Sequence, residues 1–481
     1  MRPVFPLLLL GLILPAGTVR ADPACAAVLG KIRQAVETDY VGYAVAIAPE
    51  PARLAAYQAF AVEAERRAQT VAPTDCTHAL RRFVGYFDDP HLFVLERPEL
   101  AAAQAEAYRT AHAPRPVPPA PAADLEGLQG VWVAPEFDIH VVPEGTGRHV
   151  AIVAAARDDA WHVGDVAARF VETDGTIQAT VYRSEDRAPI RYAAALQRDG
   201  MILHMPPLSW GRRLDTADAS SPFDPSRPRA PTFAPLGDRA AIVALPSFSP
   251  EHRQAIVDLV SAHDADIRAR PLLIIDLRGN DGGSTALARP LAPYYASANM
   301  APATGPRVHP HAVSSPRIIR YYSNIRDSLP QGQERAFYDD FIARMQARPG
   351  RLVPYFEDQA LAAMLLATPA PETIHPTPQH VAILVDRHSV SAAEAVLIEA
   401  RRSARVTVFG EPTGGSIDYQ NVTMFSVGEG EMRHLLGLPV VAASDELPGR
   451  GFNATGVPVD VDLTGQADWV SAVLSHYGLA D

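Results

Sequence analysis

The spacing of apolar residues changes several times along this chain of 481 residues. Over residues 23–112 apolar positions recur every three or four residues, which predicts a small helical bundle. Beyond residue 124 the period becomes two, which predicts a six- or seven-stranded antiparallel sheet or small barrel ending near Leu214. Two later segments, 271–284 and 381–396, begin with continuous apolar runs typical of strands buried on both faces.

Proline-rich stretches separate these regions. The tract PRPVPPAPAAD reads as a semi-rigid linker, and a second tract rich in proline precedes the first core strand. The sequence therefore predicts consecutive segments: a signal peptide at 1–21, a helical domain at 22–113, a linker at 114–124, an antiparallel β domain at 125–215, a second linker at 216–236, an α/β core at 237–466 with an insertion at 297–374, and a C-terminal helix at 467–481.

The first residues have the features of a secretory signal peptide. Arg2 is followed by an apolar run and then by small residues before Asp22, and the run is too short to span a membrane comfortably. Cys25 lacks the preceding residues that would favour lipid attachment, so no stable membrane anchor is expected. The chain has two cysteines, Cys25 and Cys76, and an oxidising compartment favours a disulfide between them. We therefore expect a periplasmic or extracellular protein.

The charge balance narrows the class of partner. The formal net charge is −12, and arginines are scattered among acidic residues without a basic stripe. Such a chain is poorly suited to bind nucleic acid or an anionic membrane surface. The composition does not indicate an oligomeric state.

Where the two buried strands end, backbone amides and a hydroxyl are free to contact a ligand. Gly282 and Gly283 allow a turn that aims bare N–H groups at a ligand. Ser391 lies where the second strand gives way to a helical pattern, at the positive end of the helix. An isolated serine there is most often a helix N-cap. Together with the glycine turn, it also forms the arrangement of a nucleophile beside an oxyanion site.

These two segments resemble the core of the S41 serine peptidases, the family of tail-specific proteases and of the tricorn protease core. The resemblance rests on DLRGNDGG, on SVSAAE, and on GEPTGG and GVPVDVDL, and it covers about 230 residues. It implies a crotonase/ClpP-like α/β core, hydrolysis of protein or peptide substrates, and no cofactor. It also implies Ser391 as nucleophile, with the amides of Ala392, Gly282 and Gly283 as oxyanion donors. A PDZ domain usually occupies the place of the β domain, but no PDZ carboxylate loop is recognisable here.

The general base differs from that of the bacterial tail-specific branch. That branch uses a lysine 25 positions after its serine, where this sequence has Ser416, and the single lysine of the chain is Lys31. The tricorn-like branch uses a histidine upstream of the inserted domain, and FVGYFDDPHLFVLE places His91 there. A histidine exchanges protons near neutral pH. His388, three residues before Ser391, is a competing base.

The residue that orients this histidine is not evident from the sequence. The tricorn-like pattern has a serine beside the histidine and a glutamate near the C-terminal motif, where this chain has Pro90 and Asn453. A carboxylate bonded to the second ring nitrogen would serve, so Asp88 and Asp89 are candidates, as is their simpler role in capping a turn. Glu394 and Ser416 are further candidates for supporting roles, Glu394 through a capping box with Ser391.

The sequence allows more than one role for the insertion and more than one function for the protein. We expect the insertion to form a lid or a cleft wall, with Tyr321 and Tyr322 as candidate substrate contacts. His309 and His311 lack a third ligand nearby, so no metal site is expected. The hypothesis is a serine-type endopeptidase acting through an acyl-enzyme. The alternative is a catalytically inactive S41-like protein that binds an apolar ligand or peptide in the same cleft.

Overall fold

The structure is a computed structural model of the chain. It describes residues 23–71, 75–97, 102–111, 114–124, 126–134, 136–157, 159–173, 175–197, 200, 202–205, 208–213, 230–301, 308–358, 371–453, 455–466 and 468–480. The predicted signal peptide, most of the second linker and parts of the insertion lie outside these residues. Within the described part, no helix is long and apolar enough to cross a bilayer.

The N-terminal region is helical, as the spacing of apolar residues predicts. Its elements are α1 (Pro23–Asp39), a π-helical turn (Tyr43–Ile47), α2 (Pro51–Ala68), α3 (Cys76–Val84), a 3₁₀ turn (Gly85–Phe87), strand β1 (Phe93–Glu96) and α4 (Ala102–Ala111). The predicted disulfide is present and joins Cys25 at the start of α1 to Cys76 at the start of α3. His91 lies in the short connection between α3 and β1, so the disulfide ties down the element that leads to it.

Removing this disulfide should destabilise the fold substantially. The two cysteines are 51 positions apart, and cross-linking a loop of that length lowers the entropy of the unfolded chain, a stabilisation of about 4 kcal/mol. We expect the Cys25→Ala/Cys76→Ala variant to lose about 2–4 kcal/mol in denaturant unfolding, with reduced wild-type protein giving a similar loss. A loss well below 1 kcal/mol would contradict this account.

The β domain is a closed antiparallel barrel of eight strands, more than the six or seven predicted. The strands are β2 (Gly130–Val133), β3 (Phe137–Gly145), β4 (Arg148–Ala156), β5 (Val166–Thr173), β6 (Thr176–Tyr182), β7 (Pro189–Gln197), β8 (Ile202–Met205) and β9 (Leu208–Arg213). β9 pairs with β2 and closes the barrel. Buried aromatic side chains, among them Trp132, Phe170 and Trp210, belong to its core.

The α/β core is built on a six-stranded sheet in which all pairs except β10–β11 are parallel. Its strands, in spatial order, are β10 (Thr232–Leu236), β11 (Ala240–Ala244), β12 (Leu272–Asp276), β15 (His380–Val385), β16 (Val406–Gly410) and β19 (Val461–Asp462). The helices of this region are α5 (Arg253–Ala262), α6 (Asp264–Arg268), α7 (Ala292–Tyr295), α10 (Ala392–Ala400) and α11 (Trp469–His476). β12 and β15 are the two predicted apolar strands, and every residue of β12 is buried. The predicted mixed α/β class is therefore confirmed.

A second sheet links the core to the N-terminal helices. It contains β1, β13 (His311–Val313), β14 (Leu352–Pro354), β17 (Tyr419–Val427) and β18 (His434–Ala442). The insertion also supplies α8 (Pro316–Ser328) and α9 (Gln333–Gln346). Residues of α1–α3, α8, α9 and β18 share one hydrophobic cluster. This packing brings His91, which precedes β1, to the beginning of β17.

Candidate active site

Ser391 occupies a sharp turn between β15 and α10. Its backbone angles, φ 59 and ψ −113, lie in a region that residues other than glycine rarely adopt. Its main-chain N–H donates to Glu394 Oε2 at 2.8 Å, the carboxylate half of the predicted capping box. The turn places the Ser391 hydroxyl at the N-terminus of α10, where the helix dipole favours negative charge.

The glycine turn after β12 lies directly against Ser391. A Cβ added to Gly282, which has φ 88, would lie 2.8 Å from the Ser391 Cβ, so a side chain cannot fit there. The Gly282 N–H donates to Asn280 Oδ1 at 2.9 Å, and the Asn280 Nδ2 donates to the main-chain oxygen of Leu245. Asn280 is fully buried and fixes the turn. Asn280 belongs to the motif DLRGNDGG, but nothing in the sequence pattern predicts this role for it.

Two main-chain N–H groups beside Ser391 remain without a hydrogen bond in the described part of the chain. They belong to Gly283 and to Ala392, the first residue of α10. The Gly282 amide differs because Asn280 already accepts its proton. The available donors beside the Ser391 turn are therefore Gly283 and Ala392.

Glu394 connects the Ser391 turn to the loop at residues 413–416. Its buried carboxylate accepts hydrogen bonds from Ser391 N, Thr413 Oγ1, Gly415 N and Ser416 N. Burial raises the pKa of this carboxyl, and the donated hydrogen bonds lower it. Glu394 thus joins the strained Ser391 turn to the loop at residues 413–416.

The His91 ring is oriented by a main-chain carbonyl. His91 Nδ1 lies 2.7 Å from the Tyr419 oxygen at the start of β17. A carbonyl oxygen only accepts, so Nδ1 carries the proton and the neutral ring has its lone pair on Nε2. Burial lowers the pKa of His91 below 6.5, although the hydrogen bond to Tyr419 raises it. The imidazole is therefore neutral at pH 7 and has a free basic nitrogen. Within the described residues, the Ser391 hydroxyl is hydrogen-bonded to neither His91 nor His388.

Asp89 is close to His91 but does not bind its ring. Its Oδ1 accepts from the His91 main-chain N–H at 3.0 Å and from Asn453 Nδ2 at 3.3 Å, and Oδ2 accepts from the Tyr40 hydroxyl. Burial raises the pKa of Asp89 to about 7. Asp88 is exposed and ends the 3₁₀ turn with φ 49. The hypothesis that either carboxylate binds the second ring nitrogen is therefore wrong, because the Tyr419 carbonyl occupies that nitrogen.

Asn453 supports the same loop from the other side. Its Oδ1 accepts from the main-chain N–H groups of Ile417 and Asp418, and its Nδ2 donates to Asp89. It therefore joins the loop that precedes Tyr419 to the loop that carries His91. The amide is a structural link in the position where the tricorn-like pattern has a glutamate.

Other predicted residues lie at or beyond the margin of this site. Ser416 is buried, and its main-chain N–H binds Glu394. The His388 ring faces His204 of the barrel, with ring centres 6.3 Å apart. Tyr322 is buried in the hydrophobic core, where its hydroxyl lies 2.6 Å from that of Tyr355, so its prediction as a substrate contact is wrong.

The two insertion histidines also have protein partners. His309 Nδ1 lies 3.3 Å from a carboxylate oxygen of Asp445, and His311 Nδ1 lies 2.7 Å from the His309 main-chain oxygen. No group of three potential metal ligands occurs among the residues that the structure describes.

The pH dependence of activity should report the burial of His91. A general base must be neutral, and the pKa of His91 lies below its usual value of 6.5. We expect the acid limb of the kcat/KM profile to fall below pH 6.5, with full activity at neutral pH. The measurement is hydrolysis of a cleaved peptide between pH 4 and pH 9. An acid limb centred above pH 6.5 would contradict the assignment of the buried ring.

Comparison with protein families identifies the α/β region. Residues 239–463 match the model of peptidase family S41. These residues form an S41 peptidase domain. The S41 domain contains Ser391, the glycine turn, Glu394 and Asn453, whereas His91 precedes it in the chain. No curated protein matches the sequence.

Three of the solved structures that match this chain share little sequence with it. Mature CPAF complexed with lactacystin has 12% identity and a TM-score of 0.47, covering 95% of this chain and 98% of that chain. The photosystem II D1 C-terminal processing protease has 14% identity and a TM-score of 0.33, covering 92% and 93%. The tricorn protease has 10% identity and a TM-score of 0.36, covering 92% of this chain and 34% of its own. These TM-scores are too low to transfer a site or a substrate to the S41 domain.

Proposed function

We propose that this protein is a secreted serine-type endopeptidase with Ser391 as nucleophile and His91 as general base. The observation that carries the proposal is the strained Ser391 turn, which lies against the glycine turn, where the main-chain N–H groups of Gly283 and Ala392 have no partner among the described residues. A simple helix cap does not require left-handed backbone angles at a serine. The disulfide is compatible with action outside the cytoplasm.

Hydrolysis would proceed in two stages. The Ser391 Oγ attacks the carbonyl carbon of the scissile bond while its proton passes to His91 Nε2. The C–N bond then breaks, and the imidazolium returns that proton to the leaving amine. In the second stage His91 takes a proton from water, the resulting nucleophile attacks the acyl ester, and the carboxylic product leaves as Ser391 recovers its proton.

The negative charge formed on the carbonyl oxygen would be stabilised by main-chain N–H groups. We assign this role to Gly283 and Ala392, because the Gly282 N–H is engaged by Asn280. Fixed donors require little rearrangement during the reaction, and one such donor contributes about 10²–10³-fold to the rate. Glu394 and Asn280 hold the two turns against each other without contacting the substrate.

The orientation of the base would depend on Tyr419 rather than on a carboxylate. Its carbonyl oxygen keeps the proton on Nδ1 in the neutral ring and accepts the same hydrogen bond from the imidazolium. A carbonyl stabilises the charged ring less than a carboxylate does, because it bears only a partial charge. The proposed dyad therefore differs from a Ser-His-Asp triad in its third member.

The proposal is tested by searching for cleavage products by mass spectrometry. The purified chain is incubated with an unfolded protein and a peptide mixture, and parallel samples are treated with a fluorophosphonate that labels activated serines. We expect new peptide termini and a label that maps to Ser391. Folded protein that yields neither product nor label would overturn the proposed activity and favour the binding alternative.

A further inference from the structure

Strand β17 has one edge that pairs with no other strand of the described chain. It pairs with β18 over its whole length, and no second neighbour occurs on its other side. The Asp418 main-chain oxygen accepts from Ala443 N, so residue 418 turns its peptide group toward β18 and residue 419 turns away. Beyond the left-handed Asn421 the alternation reverses, because the Arg433 oxygen binds Arg97 N on the β1 side and the residues of β18 that face β17 are then those opposite 423, 425 and 427. Residues 422, 424 and 426 therefore turn their peptide groups toward the open edge.

The open edge begins at the proposed base. The Tyr419 oxygen points to this side, and it is the atom that binds His91 Nδ1. A chain laid along the edge would therefore start beside the imidazole. This continuity distinguishes β17 from an edge strand elsewhere on the surface.

The sequence of β17 lacks the features that usually protect an exposed edge. Natural edge strands carry lysine, proline or inward-pointing charges that prevent pairing with another chain. The strand reads YQNVTMFSV and contains none of these residues. Met424 is 59% exposed, and Ser426 is also exposed. The left-handed Asn421, with φ 57, is the one irregular position along the strand.

A cavity with surplus positive charge opens beside the middle of this strand. It has a volume of about 510 Å³, lies between α1 and α8, and includes Thr423 in its wall. Arg317 pairs with Asp39 at 2.8 Å, whereas Arg320 forms no ion pair within the described residues. One arginine is thus available for an anionic group in a chain whose net charge is −12. Thr423 is four residues from Tyr419, about 13 Å along an extended chain.

We propose that a peptide substrate binds as an added strand along the open edge of β17 and places an acidic group in the cavity beside Thr423. Main-chain hydrogen bonds to residues 422, 424 and 426 hold the peptide extended, and Arg320 selects for the acidic group. The proposal rests on the peptidase function proposed above. It specifies an extended peptide with a carboxylate about four residues from the scissile bond as the substrate class.

A scan of N-methylated peptides tests the added strand. Each variant of a cleaved peptide carries one N-methyl group, which removes one main-chain donor, at a position outside the two residues that flank the scissile bond. We expect kcat/KM to fall about two- to tenfold at alternate positions and to change little between them. Equal effects at all positions, or none, would overturn strand addition.

Fluorophosphonate labelling of Ser391 separates this failure from failure of the peptidase proposal. If Ser391 is labelled and peptides are cleaved, but the N-methyl scan shows no alternating pattern, only the proposed binding mode is refuted. Absence of both from folded protein refutes the activity, and the binding mode with it.

Arg320→Gln tests the acidic preference. Peptides carrying glutamate or glutamine at each position from three to six residues from the scissile bond are compared. We expect the wild type to prefer one glutamate position by about two- to fivefold in kcat/KM, as for a partly exposed ion pair. Arg320→Gln should lose that preference. The matched control is Arg253→Gln, an exposed arginine at the start of α5, which should keep it. A preference that is absent from the wild type, or that Arg320→Gln retains, would overturn the role of the cavity.

Discussion

Replacing Ser391 by alanine should lower kcat/KM for peptide cleavage at least about 10³-fold while the protein remains folded. The variant keeps the helix, the glycine turn and both free N–H groups, so it loses the attacking oxygen and little else. Its Cβ remains, so contact with Gly282 is unchanged. Cleavage is followed by mass spectrometry, and folding by thermal unfolding.

A second N-cap serine provides the control for this substitution. Ser315 caps α8 and accepts a hydrogen bond from Ile318 N at 3.3 Å. Ser315→Ala should cost about 1 kcal/mol of stability and leave cleavage unchanged. If Ser391→Ala behaves in the same way as Ser315→Ala, Ser391 is only a helix cap.

Replacing His91 should have the second-largest effect, a loss of about 10²–10⁴-fold in kcat/KM. His91→Ala removes both the base and the contact with Tyr419. His91→Gln offers an amide that is able to donate to the Tyr419 oxygen but supplies no base near neutral pH. Both variants should therefore be inactive to a similar degree, and combining either with Ser391→Ala should add little further loss.

The matched control is a histidine of the same segment. His78 is exposed on α3 and should tolerate alanine without loss of cleavage. Retained activity in both His91 variants would assign the base to another group, with His388 as the first to be tested.

The order of elements was predictable because each depends on local periodicity. The apolar runs of β12 and β15 and the helical spacing of α1–α3 are local signals, and the structure contains all of these elements. The strand number of the barrel was underestimated because β9, with the sequence LSWGRR, contains a glycine and two arginines and shows no clear apolar alternation. Closure between β2 and β9 depends on contacts remote in sequence, which periodicity does not report.

The residues of the candidate site were predictable only where a glycine or the start of a helix restricts the conformation of the backbone. Gly282, Gly283, Ser391 and Ala392 were found in this way, and the structure places them together. The ring partner of His91 was missed because it is a main-chain oxygen, and any residue type at position 419 provides one. Tyr322 was misjudged because adjacent aromatic residues on an amphipathic helix occupy different environments.

The single lysine gives this chain one site for selective chemical labelling near the proposed substrate-binding edge. Lys31 is exposed on α1, and Gln34 and Thr38 follow on the same face and line the cavity. An amine-reactive fluorophore would therefore attach at one side chain, apart from the amino terminus of the chain. The dye would lie about one helical turn from the cavity wall, so its emission would report the arrival of a peptide without any engineered cysteine.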